Sequence, residues 1–589
     1  MGNGRSYGCC CSSTQKSPPA EVEAVDLHSA TCTGHVKRSL ITTKAYFPTW
    51  CLAMTDFMQL ERMQTHESLQ EKLTSPDDNA IVHFISHEWL GFRHPDPEGT
   101  QVQLMQSTFE KFIAGKAREL LSRSEWEAFV QGVSSGTGAF LRPLEGSFFG
   151  REALTEEDLR DDISLGCVWL DYHSIPQDTQ KSNFVDAVNS IPYYVERCDY
   201  FWICAPRAVH HDLHEPRDFY TWRGRGWCRL EEMTNILCRT LKMPLVVAEP
   251  NKVCTYGFLD GLQYLGTDPL RSVANGKFTC CLFNHKVPQP DGSFKEIKCD
   301  KLAVAPVVAT VFQALYSHVC GSGDRFKKSL LGSFATAIFA GFASIGPDAA
   351  AVEEEWMFRD ESQLDDFLEK FGYASLDNFD PLGWPPLMWA MCCAEMPIIK
   401  EMLRLRPEML FAAAPNELAM VAYSVHRDPA DFHELLRIDA RARTPEHLSH
   451  SSASGYTAVD RAAKYGRHEN LRTLLEFRAS VDPVRKDNGA TPFLSAAEEG
   501  FPECLEVLME HRADIQAVDH QGRNALHLAA PHLAIMGNDS HGARVKAIHV
   551  LLAARVDAKR VDSHGRTPLQ IALEGSHIEA VQLLGREPK

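Results

Sequence analysis

Short uninterrupted apolar runs alternate, along the first half of the chain, with segments whose apolar residues recur at three- and four-residue intervals. Residues 80–86 (Ala-Ile-Val-His-Phe-Ile-Ser), 167–171, 200–204 and 244–248 lack polar–apolar alternation, as strands buried on both faces do. Between them, residues 101–122 and 226–241 carry helical spacing, and residues 184–197 do so with Pro192 placed to kink or split them. Residues 55–73 place Phe57, Met58, Leu60, Met63, Leu69 and Leu73 at roughly helical intervals, ended by Ser75-Pro76-Asp77-Asp78-Asn79. Strands alternating with helices predict a parallel, three-layer α/β sheet. Residues 277–301 read as a hairpin turning at Asp291-Gly292, and residues 324–378 as helical without an interpretable motif.

The last third is periodic. Gly455-Tyr456-Thr457-Ala458, Gly489-Ala490-Thr491-Pro492, Gly522-Arg523-Asn524-Ala525 and Gly565-Arg566-Thr567-Pro568 open four similar units, with glycines 34, 33 and 43 residues apart. Three units continue with paired alanines (Ala462-Ala463, Ala496-Ala497, Ala529-Ala530), and all four end on a branched pair: Leu474-Leu475, Val507-Leu508, Leu551-Leu552 and Leu583-Leu584. Small residues let neighbouring helices approach, and the branched pair fills the seam. This pattern resembles the ankyrin repeat, an all-α solenoid that binds protein partners. Residues 380–387 resemble a decayed first repeat, with another around 416–440. The third step holds about ten extra residues after Ala530, expected to project from one face and to contribute specificity.

Composition changes this picture little. The chain has 589 residues, a formal charge of −18 and 18 cysteines. That charge argues against general affinity for nucleic acid, and scattered cysteines without a secretory leader read as reduced thiols in a cytosolic compartment. The uncharged stretch 329–345 is short for a membrane span and reads as a packed helix. The N-terminus, Met-Gly-Asn-Gly-Arg-Ser, fits a myristoylation pattern on Gly2, and Cys9, Cys10 and Cys11 offer palmitoylation sites. Two lipid signals give stable anchoring where one does not, so the expectation is peripheral attachment to the cytosolic face of a membrane.

The block order from Ile81 to Ala248 resembles a TIR domain, a flavodoxin-like signalling module. The resemblance rests on Phe84-Ile85-Ser86-His87-Glu88-Trp89, Val168-Trp169-Leu170-Asp171, Cys198-Asp199-Tyr200-Phe201-Trp202-Ile203 and, above all, Gly226-Trp227-Cys228-Arg229-Leu230-Glu231. It implies self-association and, in the family's NAD-cleaving members, a catalytic glutamate, which maps onto Glu231. Ligands of open α/β sheets sit at the carboxyl ends of the strands, where Ser86, His87, Trp89 and Asp171 fall as substrate-binding candidates. Trp89 is suited to ring stacking and His87 to donating to phosphate. Roughly eighty residues separate the first two strands, far more than the dozen or so a crossover requires.

Two clusters have metal-ligand chemistry without the usual spacing. His210-His211-Asp212-Leu213-His214-Glu215 lies between prolines and lacks the helical H-E-x-x-H arrangement. Cys280, Cys281, His285 and Cys299 lack C-x₂₋₄-C spacing. No metal and no cofactor is expected, with NAD entering only as substrate. The resulting division is a lipidated segment (1–50), an α/β module with a large insertion (51–270), a connecting region (271–378) and repeats (379–589, clear from 455). Two functions remain open: a scaffold that binds a protein partner through the repeats and self-associates through the α/β module, or an NAD-cleaving hydrolase.

Overall fold

The computed structural model describes residues 41–131, 154–177, 182–238, 242–256, 269–288, 293–296, 298–380, 384–393, 395–409, 428–438, 448–449, 451, 456–531, 542–574 and 577–585. Gly2, Cys9, Cys10, Cys11 and most of the segment inserted after Ala530 therefore lie outside the described residues.

A sheet of seven strands organises the first half. Its members are β1 (Cys51–Ala53), β2 (Leu73–Thr74), β3 (Val82–His87), β4 (Cys167–Trp169), β5 (Tyr200–Cys204), and, beyond a small hairpin of β6 (Ala208–Val209) and β7 (Pro216–Arg217), β8 (Leu245–Glu249) and β9 (Lys252–Thr255). The order across the sheet is β2-β1-β4-β3-β5-β8-β9. Four strands, β4, β3, β5 and β8, are parallel; β1 and β2 add antiparallel on one side and β9 on the other, leaving β2 and β9 as the edges. In chain order the parallel strands run second-first-third-fourth, so connections leave in opposite directions at the β3/β5 junction, a topological switch point.

The apolar runs become strands because both sides are covered. Ile85, Trp202 and Leu245 join one buried cluster, with Phe109 and Phe112 of the helix Thr100–Ile113. Their neighbours Phe84, Phe201 and Val246 join another, with Tyr194 and Val195 of the helix Ile191–Arg197. Alternate side chains thus point to opposite layers.

Several expectations need correction. Residues 55–73 do not make one helix; Met54–Phe57 and His66–Leu69 are single turns between β1 and β2. Phe57, Leu60, Met63, Leu69 and Leu73 are nonetheless all buried. The segment connects β1 to β2, and the antiparallel pairing of these two strands, Leu52 opposite Leu73, overrides the helical spacing. The 101–122 segment breaks at Gly115, whose φ of 73° is left-handed, giving Thr100–Ile113 and Ala117–Leu120. Pro192 splits 184–197, as its position suggests, into Ser182–Asn189 and Ile191–Arg197. The hairpin forms between β10 (Lys286–Pro288) and β11 (Phe294–Glu296), pairing Lys286 with Glu296; its turn residues lie outside the described ones.

A stretch without Lys, Arg, Asp or Glu longer than 329–345 runs over residues 302–323. The helix Lys301–Ser322 is the one, among the described residues, long and apolar enough by length and composition to cross a membrane. Here it lays Val304, Val308, Val311, Phe312 and Leu315 into the protein core and packs against the helix Gly226–Leu237.

The C-terminal third is a stack of helix pairs: Ala458–Lys464 with His468–Glu476, Pro492–Glu499 with Pro502–Glu510, Ala525–Ala529 with Ala543–Ala553, and Pro568–Glu574 with Ile578–Leu584. Each first helix starts on a short polar side chain. Thr457 accepts from Asp460 N at 3.2 Å, Thr491 from Leu494 N at 3.4 Å, and Asn524 from His527 N at 3.2 Å. Loops zip together between units, His520 N donating to Asn488 O and Ser563 N to Gln521 O, both at 2.8 Å. Upstream, Pro386–Cys392 and Met396–Leu405 form a further pair where the first decayed repeat was expected. Of the second decayed repeat, the helix Pro429–Ile438 is described.

Leu508 is fully buried in the seam between units. Leu508→Ala is expected to cost about 2–5 kcal/mol, read as a lower urea midpoint for the repeat transition. Leu573→Ala, at an exposed position, should leave that midpoint nearly unmoved.

Candidate functional site

The carboxyl ends of β3 and β4 and the helix Gly226–Leu237 meet beside the switch point, and five side chains named from the sequence converge there. Gly226 begins that helix against the ring of Phe278, which a Cβ at this position would overlap. This close approach sets the helix over the strand ends. Glu231, on its second turn, is 7% exposed. Its Oε2 accepts a short hydrogen bond from the Ser86 hydroxyl at the end of β3. Trp222 Nε1 donates to Ser86 Oγ at 3.0 Å, so the serine spends its own proton on the glutamate.

His87, the next residue of β3, lies between two acceptors. Nδ1 meets Gln101 Oε1 at 2.9 Å and Nε2 meets Asp171 Oδ1 at 2.8 Å. Gln101 is itself oriented by donating Nε2–H to Glu88 O at 2.7 Å. Acceptors on both ring nitrogens favour the doubly protonated imidazolium. Burial alone would depress the His87 pKa, but the charge and hydrogen bond of Asp171, with Glu231 and Gln101 adding to them, together hold the value above the ordinary one. With both nitrogens engaged, His87 orients and neutralises its neighbours, in place of the phosphate-donor role read from the sequence. Trp89 Nε1 donates to Asp171 Oδ2 at 2.9 Å, and its ring meets that of Tyr172 edge to face at 5.6 Å.

The two acids are tuned in opposite directions. Burial, reinforced by the nearby Asp171 charge, pushes the Glu231 carboxyl up to about 8, against the Ser86 hydrogen bond and the His87 charge. Asp171 has a side chain 29% exposed. Burial would raise it, yet the His87 charge and the hydrogen bonds from His87 and Trp89 hold it below the usual carboxylate range. One neutral acid beside one carboxylate is the arrangement from which acid–base roles are assigned.

The nearby arginines engage other groups. Arg223 pairs with Glu232 at 2.8 Å, both buried. Arg229 donates to the carbonyls of Arg223, Leu270 and Ser272 at 2.7, 2.8 and 2.9 Å. Arg225 donates to Thr279 Oγ1 at 2.6 Å. Glu231 is thus a buried acid bonded to a serine, and not a surface glutamate held by arginine. Cys228 donates to His87 O at 3.4 Å and is buried, which raises its thiol pKa well above the ordinary value. It serves as a packing residue. In the loop closed by β6 and β7, His210 Nδ1 accepts from the backbone of Asp212 and Leu213 at 3.3 and 3.2 Å, and Asp212 accepts from Phe92 N at 2.7 Å.

Glu231, His87, Trp89 and Asp171 open on a cavity of about 2100 Å³. This exceeds the roughly 300–1,000 Å³ of most small-ligand pockets. Its far wall comes from the repeats, through Tyr465, Arg467, His468 and Phe501. An ion pair of 2.6 Å between Arg207 and Glu579 also joins the α/β module to the last repeat. Local sequence carries no sign of that wall, because it depends on how the stack folds back.

Comparison with known proteins bears on the repeats. Residues 459–539 match the family model of ankyrin repeats (3 copies), and residues 532–584 that of ankyrin repeats (many copies). The chain is 25% identical over 163 residues to the mouse (Mus musculus) B-cell lymphoma 3 protein homolog, a match covering 28% of this chain and 36% of that protein. It is 34% identical over 84 residues to human (Homo sapiens) SH3 and multiple ankyrin repeat domains protein 2, covering 14% of this chain and 4% of that protein. The chain thus matches well under half the length of either relative. The C-terminal solenoid is an ankyrin-repeat stack, an architecture that binds protein partners.

The tuned Glu231 predicts a pH signature. Its ordinary value is 4.5 and its folded value about 8, so between these limits the native chain keeps a proton that the unfolded chain releases. Stability therefore falls as pH rises from about 4.5 to 8. Glu231→Gln should flatten that slope, measured by urea unfolding across the interval; an unchanged slope contradicts the assignment.

Proposed function

We propose that residues 51–270 form a TIR-type module that cleaves NAD between nicotinamide and ribose at Glu231, and that the ankyrin stack recruits a protein partner controlling where this happens. The observation that carries the reading is a buried, proton-retaining glutamate beside an ionised aspartate, both lining one large cavity. The parallel strands follow the flavodoxin-like order. Glu231 lies on the helix between the third and fourth of them.

The chemistry follows from those charges. Nicotinamide leaves as a neutral base with the bonding electron pair, and ribose C1 becomes oxocarbenium-like. Water then adds to C1 and releases a proton, giving ADP-ribose. The Asp171 carboxylate steadies the positive centre, and Glu231, in the fraction that has lost its proton as pH approaches about 8, accepts from the ribose hydroxyls or the incoming water. The Trp89 ring offers a stacking surface. Arg225, Lys277 and Arg467 on the cavity wall suit a pyrophosphate.

Nicotinamide release from NAD by the full chain at high protein concentration tests this. Glu231→Gln is expected to be at least ~100-fold slower, and kcat/KM of the wild type should rise with pH through about 8 as Glu231 ionises. Equal rates in both proteins, or no release from either, overturn the hydrolase reading and leave a module for self-association.

The anchor belongs to the same proposal: myristoyl on Gly2 and palmitoyl on Cys9, Cys10 or Cys11 hold the chain to the cytosolic face of a membrane. Gly2→Ala should move the protein from the membrane to the soluble fraction on cell fractionation. A variant that stays at the membrane overturns it.

A further inference from the structure

We propose that Cys280, Cys281, His285 and Cys299 form a structural zinc site that pins the connecting region against the helix carrying Glu231. Sequence spacing argued against a metal here, because adjacent cysteines rarely ligate together. The fold supplies what the spacing lacks. Cys280 and Cys281 lie on one helical turn, Thr279–Leu282. The chain then bends through Asn284 and His285, both left-handed with φ of 50° and 61°, and His285 N donates back to Cys280 O at 2.7 Å. The β10–β11 hairpin returns the chain to Cys299, just before the helix Lys301–Ser322.

The four ligand atoms all lie within 4.8 Å of one another. Cys281 Sγ is 3.8 Å from Cys280 Sγ, 3.7 Å from Cys299 Sγ and 3.6 Å from His285 Nε2. Zinc–sulfur bonds of about 2.3 Å and zinc–nitrogen bonds of about 2.0 Å, set tetrahedrally, give edges of about 3.8 Å between sulfurs and about 3.5 Å from sulfur to nitrogen. The three edges at Cys281 match those lengths. None of the three cysteines is in a disulfide. Asp300 N donates to Cys280 Sγ at 3.4 Å, the backbone-to-sulfur bond that lowers the charge on a metal thiolate. Three thiolates and one imidazole, with no position left for water, describe a closed structural site.

The location gives the metal a purpose. Phe278, two residues before Cys280, is the ring packed on Gly226. Asp300, next to Cys299, accepts from Trp227 Nε1 at 3.2 Å. Zinc would thereby fix both contacts that hold the N-terminus of the Glu231 helix. This assignment does not depend on NAD cleavage.

Elemental analysis of the purified full chain decides it. Wild type expressed with zinc should retain about one zinc per chain after dialysis. Cys281→Ser and Cys299→Ser should each retain at least ~10-fold less, while Cys320→Ser, at an exposed cysteine elsewhere, retains as much as wild type. No zinc in wild type, or equal zinc in all variants, overturns the site. Should a serine variant fail to fold, cobalt(II) added to metal-stripped wild type gives the answer. A tetrahedral thiolate spectrum supports the site, and the pale spectrum of octahedral, water-ligated cobalt overturns it.

Discussion

The helix Gly226–Leu237 carries a carboxyl into the ends of the parallel strands, where an ion without partners would be strongly disfavoured. Much of the surrounding architecture answers to that constraint. Trp222 turns the Ser86 hydroxyl toward Glu231. His87, held between Gln101 and Asp171, supplies one positive charge near two acids. Glu231 responds by keeping its proton to about pH 8. Neutralisation of the acid, and not an ion pair with arginine, is how the fold accommodates it.

Two further elements keep that helix in place. Phe278 presses on Gly226 at one end, and the apolar helix Lys301–Ser322 packs along its side. The connecting region is therefore a brace for the strand-end cleft as well as a link to the repeats. The repeats close the cavity from the other side through Tyr465, Arg467 and Phe501. A partner bound to the ankyrin stack would act on a surface continuous with the cleft wall.

Much of this was legible in the chain because it depends on local pattern. Apolar runs marked β3, β4, β5 and β8, and repeated Thr, Ala-Ala and Leu-Leu positions marked the ankyrin units. Ser86, His87, Trp89, Asp171 and Glu231 were legible as a set because strand ends and the following helix converge in any doubly wound sheet. Features set by distant contacts were not. β1 and β2 have three and two residues and exist only through pairing at the sheet edge. The convergence of Cys280, Cys281, His285 and Cys299 requires a turn and a hairpin that spacing alone does not reveal. The engagement of both His87 nitrogens needed Gln101, which no motif marked.

The central claim is that Glu231 is a buried acid neutral at physiological pH. Infrared difference spectra of the full chain, wild type against Glu231→Gln, follow its carboxyl stretch directly as pH is varied. The account predicts a protonated-carboxyl band, absent from the variant, that disappears with a midpoint near pH 8. A band already lost near the ordinary glutamate value of 4.5 would contradict it.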